Sequence, residues 1–285
     1  MKSSVKHTRV SATAAGIRYG YAFGRLSALG HGVDVDAEYL RRLIELPESE
    51  RNRVVAREVL NGSVSDDATR AEILTGIEAR LQEIAALAAR LQLPDALMEF
   101  FLLEERRASL DAASWYDARL SAAERAGSAL LYRYARRELR FANLRICMRA
   151  ALGRTPHGSV ATELLHGDPH NAQVCARAYA RLDTEALAMT AEYSFPERLA
   201  RELLRHGAYR MLAVEDVCNP ARLDAACQHA LAALLTTAPE RGRVGLESVA
   251  AVLLERRRAL ARVRSVVAAA GLLEDWKVQA YAGLN

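Results

Sequence analysis

The side chains of this chain best suited to chemistry stand in one stretch, from Glu138 through Asn143, Arg145 and Arg149 to Gly153. An acid, an amide and three guanidinium groups, Arg140 among them, within a few helical turns suit recognition: ion pairing and hydrogen bonding rather than bond making, since none of them is an activated nucleophile. Glu138 and Asn143 are five positions apart, about 140° around a helix of ~3.6 residues per turn. Leu139, Ala142, Ile146 and Ala150 recur at spacings of three and four, which makes an apolar row. The polar groups are therefore expected along the borders of a buried seam. Asn143 and Arg145 have two readings: they line a concave mouth and contact a partner, or they satisfy helix ends and carboxylates such as Glu138 or Glu163 inside a bundle.

Three other clusters carry possible chemistry. Arg256, Arg257, Arg258, Arg262 and Arg264 form the densest basic run, with Arg258 and Arg262 on one helical face. This is either a solvated face or a surface for an acidic partner. His166, Asp168 and His170 fall within five residues, but the intervening Gly167 and Pro169 make a loop with no second ligand pair beside it. Asp66 and Asp67 precede a long helix. Paired aspartates hold magnesium in all-helical isoprenoid enzymes; at a helix start two negative charges also favour the helix dipole. No Gly-rich phosphate loop and no nucleophile motif is present, so no cofactor is implied.

These residues need helices to hold them, and the composition supplies helices. Alanine, leucine, arginine and glutamate dominate, prolines number 7 and glycines 16 in 285 residues, and those residue types favour helix. The spacing predicts a first helix from Ala14 to Leu29 that breaks at Gly30, then helices over 36–46 and 47–60. It predicts one long helix from Asp66 to Leu93, with Ile73, Ile77, Leu81, Ile84, Ala88 and Leu91 on one face. It predicts a helix from Pro94 to about Leu120, another from Ala122 to Leu152, and short ones over 159–166 and 171–181. Ser194 with Glu197 makes a capping box, and Asn219 followed by Pro220 is a cap with proline at the first helical position. A last helix spans about 246–270. The segment from Asn143 to Gly153 has an echo from Arg262 to Gly271: an arginine on an apolar helix that ends at glycine.

The net charge is +4, with 39 basic and 35 acidic residues. Signs balanced along most helices argue against nucleic acid as the main partner. The basic residues are almost all arginine, as a GC-rich genome would encode. No apolar run approaches ~20 residues, so no transmembrane span is expected. Cys147 and Cys227 sit on apolar faces and read as small buried hydrophobes; the 4 cysteines carry no CxxC spacing, which points to a reducing compartment.

Three segments together resemble one family. Tyr19, Tyr21 and Ala22 with Arg25 are similar to its opening helix. Glu138 followed by Asn143, Leu144 and Arg145 is similar to its acid and Asn-Leu motif. Glu255 to Arg264 and Gly271 is similar to its closing helix. The family is that of the central-stalk "C" component of archaeal and bacterial V-type (A/V-type) ATPases, the "d" component of the eukaryotic enzyme. Arg262 stands where the family usually has asparagine. The resemblance implies an all-α, funnel-like arrangement of three similar helical bundles with pseudo-threefold symmetry. The first 33 residues hold no acid, five basic residues and several hydroxyls, so a disordered tail over 1–14 is expected ahead of the first helix; the resemblance implies a helical domain over 15–285 with boundaries near 94 and 195. It implies a non-catalytic part in ATP synthesis or ATP-driven hydrogen (or sodium) ion transport, peripheral on the cytoplasmic face of the membrane, with the central shaft and the proteolipid ring as partners. Tyr21, Arg25, Glu138, Asn143, Arg145, Arg258, Arg262 and Arg264 are then the candidate interface or structural polar residues. A helical-repeat adaptor unrelated to the ATPase, or an all-α magnesium-dependent isoprenoid-type enzyme, are the rival readings.

Overall fold

The computed structural model describes residues 19–25, 35–91, 93–104, 106–153, 160–186, 194–236 and 245–270. The expected tail over 1–14, the end of the first helix at Leu29 and the stop at Gly271 lie outside the described residues. Within them the chain is mostly helical and contains no strand, as the composition predicts. The helices are α1 (19–25), α2 (Ala37–Glu45), α3 (Glu48–Val54), α4 (Arg70–Arg90), α5 (Asp95–Leu102), α6 (Ala112–Arg125), α7 (Ala129–Ala151), α8 (Val160–Glu163), α9 (Pro169–Ala186), α10 (Phe195–Leu204), α11 (Val214–Val217), α12 (Pro220–Thr236) and α13 (Leu246–Ala269). None is long and apolar enough to cross a membrane. The chain divides into two compact units, one of Met1–Met98 with Leu235–Leu284 and one of Glu99–Leu234.

In the first unit α13 packs on α4 and α2. Ile73 and Ile77 are fully buried and Ile84 nearly so, as their spacing predicts, whereas Leu81 and Leu91 are half-buried. Asp36 caps α2 by accepting from the Tyr39 backbone N–H at 2.7 Å. The buried Arg51 then closes the other end of α2: its Nε and Nη2 donate to the carbonyls of Leu43 and Leu46 at 2.8 and 2.6 Å, which otherwise lack intrahelical partners. α3 runs into a single π-turn over Val55–Val59. The start expected for α4 moves. Thr69 and Glu72 cap it reciprocally: the Thr69 N–H donates to Glu72 Oε2 at 2.7 Å and the Glu72 N–H to Thr69 Oγ1 at 3.3 Å. Asp66 and Asp67 therefore lie in the preceding turn, and Arg57 donates to both oxygens of Asp66.

In the second unit two expected helices are each interrupted. The helix predicted from Pro94 to Leu120 ends at Leu102 and resumes at Ala112. The Leu103 carbonyl accepts from Trp115 Nε1 at 2.8 Å, and Asp111 restarts the helix by accepting from the Ser114 N–H at 2.9 Å. The helix predicted from Ala122 ends at Arg125. Gly127 takes φ +66°, open to glycine at no steric cost, and Ser128 Oγ caps α7 through the Leu131 N–H at 3.1 Å. α7 is then the centre of the unit, packed by α6, α8, α9 and α10. Both later caps form as predicted: the Ser194 N–H donates to Glu197 Oε2 at 3.0 Å, and Asn219 Oδ1 accepts from the Arg222 N–H at 3.3 Å.

Candidate functional site

Of the polar groups of α7, Glu138, Arg140 and Arg145 are half-buried, as a place on the border of a seam predicts, and Asn143 is built into it. Leu139, Phe141, Leu144 and Cys147 point around more than half of the helix, and all are fully buried. Four packed neighbours leave α7 little solvent face, so Asn143 is itself at 0% exposure. An amide there must be satisfied by protein. Asn143 Nδ2 donates to the Leu165 carbonyl and to Asn171 Oδ1, both at 3.1 Å, and its Oδ1 accepts from the Leu165 N–H at 2.8 Å. One side chain thus clamps both backbone groups of Leu165, two residues beyond α8, and reaches across to α9.

This contact is one rung of a ladder between α7 and α9. Above it, Arg136 Nε and Arg140 Nε donate to the buried Asp168, at 2.9 and 2.6 Å. Burial raises the carboxyl's pKa, but the two guanidinium groups outweigh that and hold it below the ordinary aspartate range. Below it, Cys147 and Cys175 each stand four residues beyond the amide pair on their helices, both fully buried. The pairings 140 with 168 and 143 with 171 ascend together, so α7 and α9 run parallel. Tyr209 seals the ladder from the side. Its hydroxyl donates to the Arg140 carbonyl at 2.9 Å, accepts from Asn171 Nδ2 at 2.8 Å and lies 3.4 Å from Cys175 Sγ. A Cβ at Gly167, just before Asp168, would stand 2.5 Å from Asp117 Oδ1 and 2.8 Å from Leu139 Cδ1, so those side chains would have to shift.

Glu138 faces the other way, toward α6. It accepts from Arg119 Nη2 at 2.8 Å, and Glu104 takes Arg119 Nη1. Arg119 is 2% exposed, with its guanidinium carbon 4.2 Å from the Phe100 ring centre and 4.6 Å from that of Trp115. Burial works against its charge. Glu138 and Glu104 more than compensate, and its pKa lies above the usual arginine value. Arg145 is half-buried and donates from Nε to Asp224 Oδ1 at 2.5 Å, beside Cys227, whose thiol burial pushes up to about 12.

The remaining candidates lie in the first unit. Tyr21 is 63% exposed and Arg25 is exposed on α1. Arg262 Nη1 donates to the Val35 carbonyl at 3.3 Å, and Arg264 meets Glu78 at 3.4 Å. Arg258 lowers the pKa of Arg262, after burial, by like-charge repulsion. The structure therefore brings Glu138, Asn143 and Arg145 onto α7, each with a different partner. It puts Arg258, Arg262 and Arg264 on α13, and Tyr21 with Arg25 on α1.

Asp168 of the His166–His170 loop is held by two arginines and Asp66 by Arg57. Among the described residues no group of three or more His, Cys, Asp or Glu side chains is placed to hold a metal ion. What the arrangement performs is positional. Arg119, Asn143, Asp168 and Asn171 each tie one element to another. Reasoning from sequence missed Arg119, Asn171, Cys175 and Tyr209. One signal was present: Asn-x-x-x-Cys occurs twice, at 143–147 and at 171–175, and the two copies are the facing rungs. Comparison with models of protein families, with curated proteins and with solved structures gave no match.

Proposed function

We propose that this chain is a non-catalytic coupling component of a rotary V-type ATPase, seated on the cytoplasmic side between the central shaft and the proteolipid ring. A part that passes torque must be stiff, and it must grip two surfaces. The observation that carries the reading is the α7–α9 seam. The acid and Asn-Leu-Arg residues of the family-like motif are among those that join α7 to its neighbours, through Glu138 to Arg119, Asn143 to Leu165 and Asn171, and Arg145 to Asp224. Dense packing with satisfied buried polar groups gives such an element a single rigid register. The opening motif with Tyr21 and Arg25, and the α13 arginines Arg258, Arg262 and Arg264, then supply contacts for the shaft and the ring. The reading carries with it three helical bundles in a funnel, which a division of the second unit near residue 195 would supply.

The test is isolation of the chain at native level from membranes of its source. Under this reading it co-purifies in fixed ratio with the ATPase shaft and proteolipid proteins, and Arg145→Ala lowers that recovery several-fold while its circular dichroism is unchanged. A chain recovered free of those proteins removes the reading and leaves the helical adaptor. Unchanged recovery of the variant removes Arg145 from the contact.

A further inference from the structure

The lowest rung of the α7–α9 ladder has a chemistry of its own. In a parallel helix pair, residues one turn further along both helices face each other again, about 5.4 Å down the axis. The Asn143 and Asn171 amides meet at 3.1 Å, and Cys147 and Cys175 each follow them by four residues. Both thiols are fully buried, and the register of the amide pair sets them facing each other one turn further along α7 and α9. The third neighbour is the Tyr209 hydroxyl, 3.4 Å from Cys175 Sγ. The hydrogen bonds that clamp the upper rungs, at Asp168 and at the Asn143–Asn171 pair, use no sulfur.

We propose that Cys147 and Cys175 form an oxidisable dithiol, which closes to a disulfide between α7 and α9 when a small, uncharged hydroperoxide reaches the seam. The two thiols are not equivalent. The Cys147 thiol beside it holds the Cys175 thiol below its ordinary pKa, against burial and the nearby Asp168 carboxylate. Cys147, beside Cys175 and buried, is pushed the other way. Cys175 is thus the attacking thiolate. Its sulfur bonds to one peroxide oxygen, the O–O bond breaks, and hydroxide leaves and is protonated to water. Cys147 sulfur then attacks the Cys175 sulfenic acid. The S–S bond forms, the S–O bond breaks, and the oxygen departs as a second water with the Cys147 proton. Two thiols and one hydrogen peroxide become one disulfide and two waters. The two electrons lost by sulfur reduce the peroxide. Burial selects the oxidant, because the seam admits only a small neutral molecule during a local opening. The inference stands on the α7–α9 geometry and is independent of the coupling role.

The competing thiol is Cys218, which is half-buried; a Cys218→Ser chain removes it. That chain, reduced and then treated with hydrogen peroxide, is denatured, alkylated and mapped by mass spectrometry. The expected product is a single cross-linked peptide pair joining Cys147 to Cys175, lighter by about 2 Da than the two thiols and restored by dithiothreitol. In a Cys147→Ser version the reaction stops at a Cys175 sulfenic acid that dimedone captures; capture at no site reverses the assigned order of attack. Recovery of Cys147 and Cys175 as alkylated thiols after peroxide, or a disulfide to Cys227, overturns the proposal. The same map of the unsubstituted chain decides the matter should a serine variant fail to fold.

Discussion

α7 and α13 are helices of 23 and 24 residues, and the sequence echo between them suggests the same part played twice. They handle their polar residues in opposite ways. α7 buries Asn143 completely and ties Arg136, Arg140 and Glu138 to charged partners on other elements, at Asp168 and Arg119. On α13 the one buried polar residue is Ser248, in the first turn, where its hydroxyl donates to the Gly245 carbonyl at 2.8 Å and accepts from the Gly245 N–H at 2.9 Å. Its later arginines are half-buried or exposed; Arg262 reaches a backbone carbonyl and Arg264 an exposed acid. The difference is one of specification. A carbonyl or a solvated carboxylate accepts a guanidinium in many registers. A buried amide against another amide, or an arginine between two carboxylates, accepts one. α7 is fixed by its polar partners and α13 by apolar packing through Val249, Leu253, Val263 and Val267.

The largest test of that contrast removes the charge at the heart of the second unit. Arg119→Ala leaves Glu138 and Glu104 facing the space of a lost guanidinium and opens a gap beside Phe100 and Trp115. Breaking a buried pair by taking one partner costs about 3–5 kcal/mol. Urea unfolding should show a loss of that size. A loss below about 1 kcal/mol would place Arg119 with the exposed arginines of α13 and erase the distinction.

How much of this was legible beforehand follows from the same contrast. The all-helical class, the α13 span and the caps at Glu197 and Asn219 are local properties, written in propensity and in residues three apart. The breaks at Leu103 and at Gly127 were not legible. Each depends on a single turn that its helix-forming neighbours conceal, and in the first case on Trp115 reaching back twelve residues to a carbonyl. Asn143 was recognisable as a residue that needs a partner, but its position was misjudged. A one-helix pattern assumes one buried face, whereas α7 is packed on several sides. Arg119 was hidden for a related reason: arginine on a helix reads as solvated until Phe100 and Trp115 close over it.

A middle-sized effect sharpens the contrast through pH. The Asp168 carboxyl is held below its unfolded value of about 3.9 by Arg136 and Arg140. A group depressed in the folded state contributes stability that is complete above the unfolded pKa and is lost as pH falls through the folded one. Asp168→Asn should therefore cost about 2–3 kcal/mol near neutrality, the range for hydrogen bonds to a charged group. The gap between variant and parent should narrow below pH ~4. Equal unfolding curves at pH 7 would mean that the top rung contributes nothing to the register of α7 and α9.

The smallest effect is expected on α13. Arg264 and Glu78 meet at 3.4 Å, with side chains 56% and 41% exposed. Solvent and salt screen such a pair, and two long side chains lose freedom in forming it, so exposed pairs of this kind contribute about 0.2–1 kcal/mol at most. Arg264→Ala should shift unfolding by less than about 0.5 kcal/mol at roughly 0.15 M salt, where the screening length is ~8 Å. The shift should shrink further as salt rises. The apolar face of α13 is untouched by the change, because Val263 and Val267 beside it stay buried against the same unit. If Arg264→Ala instead costs as much as Asp168→Asn, and the cost persists in high salt, the exposed arginines of α13 are structural clamps of the α7 kind. The run from Arg256 to Arg264 would then be occupied within the fold and would offer no surface to an acidic partner.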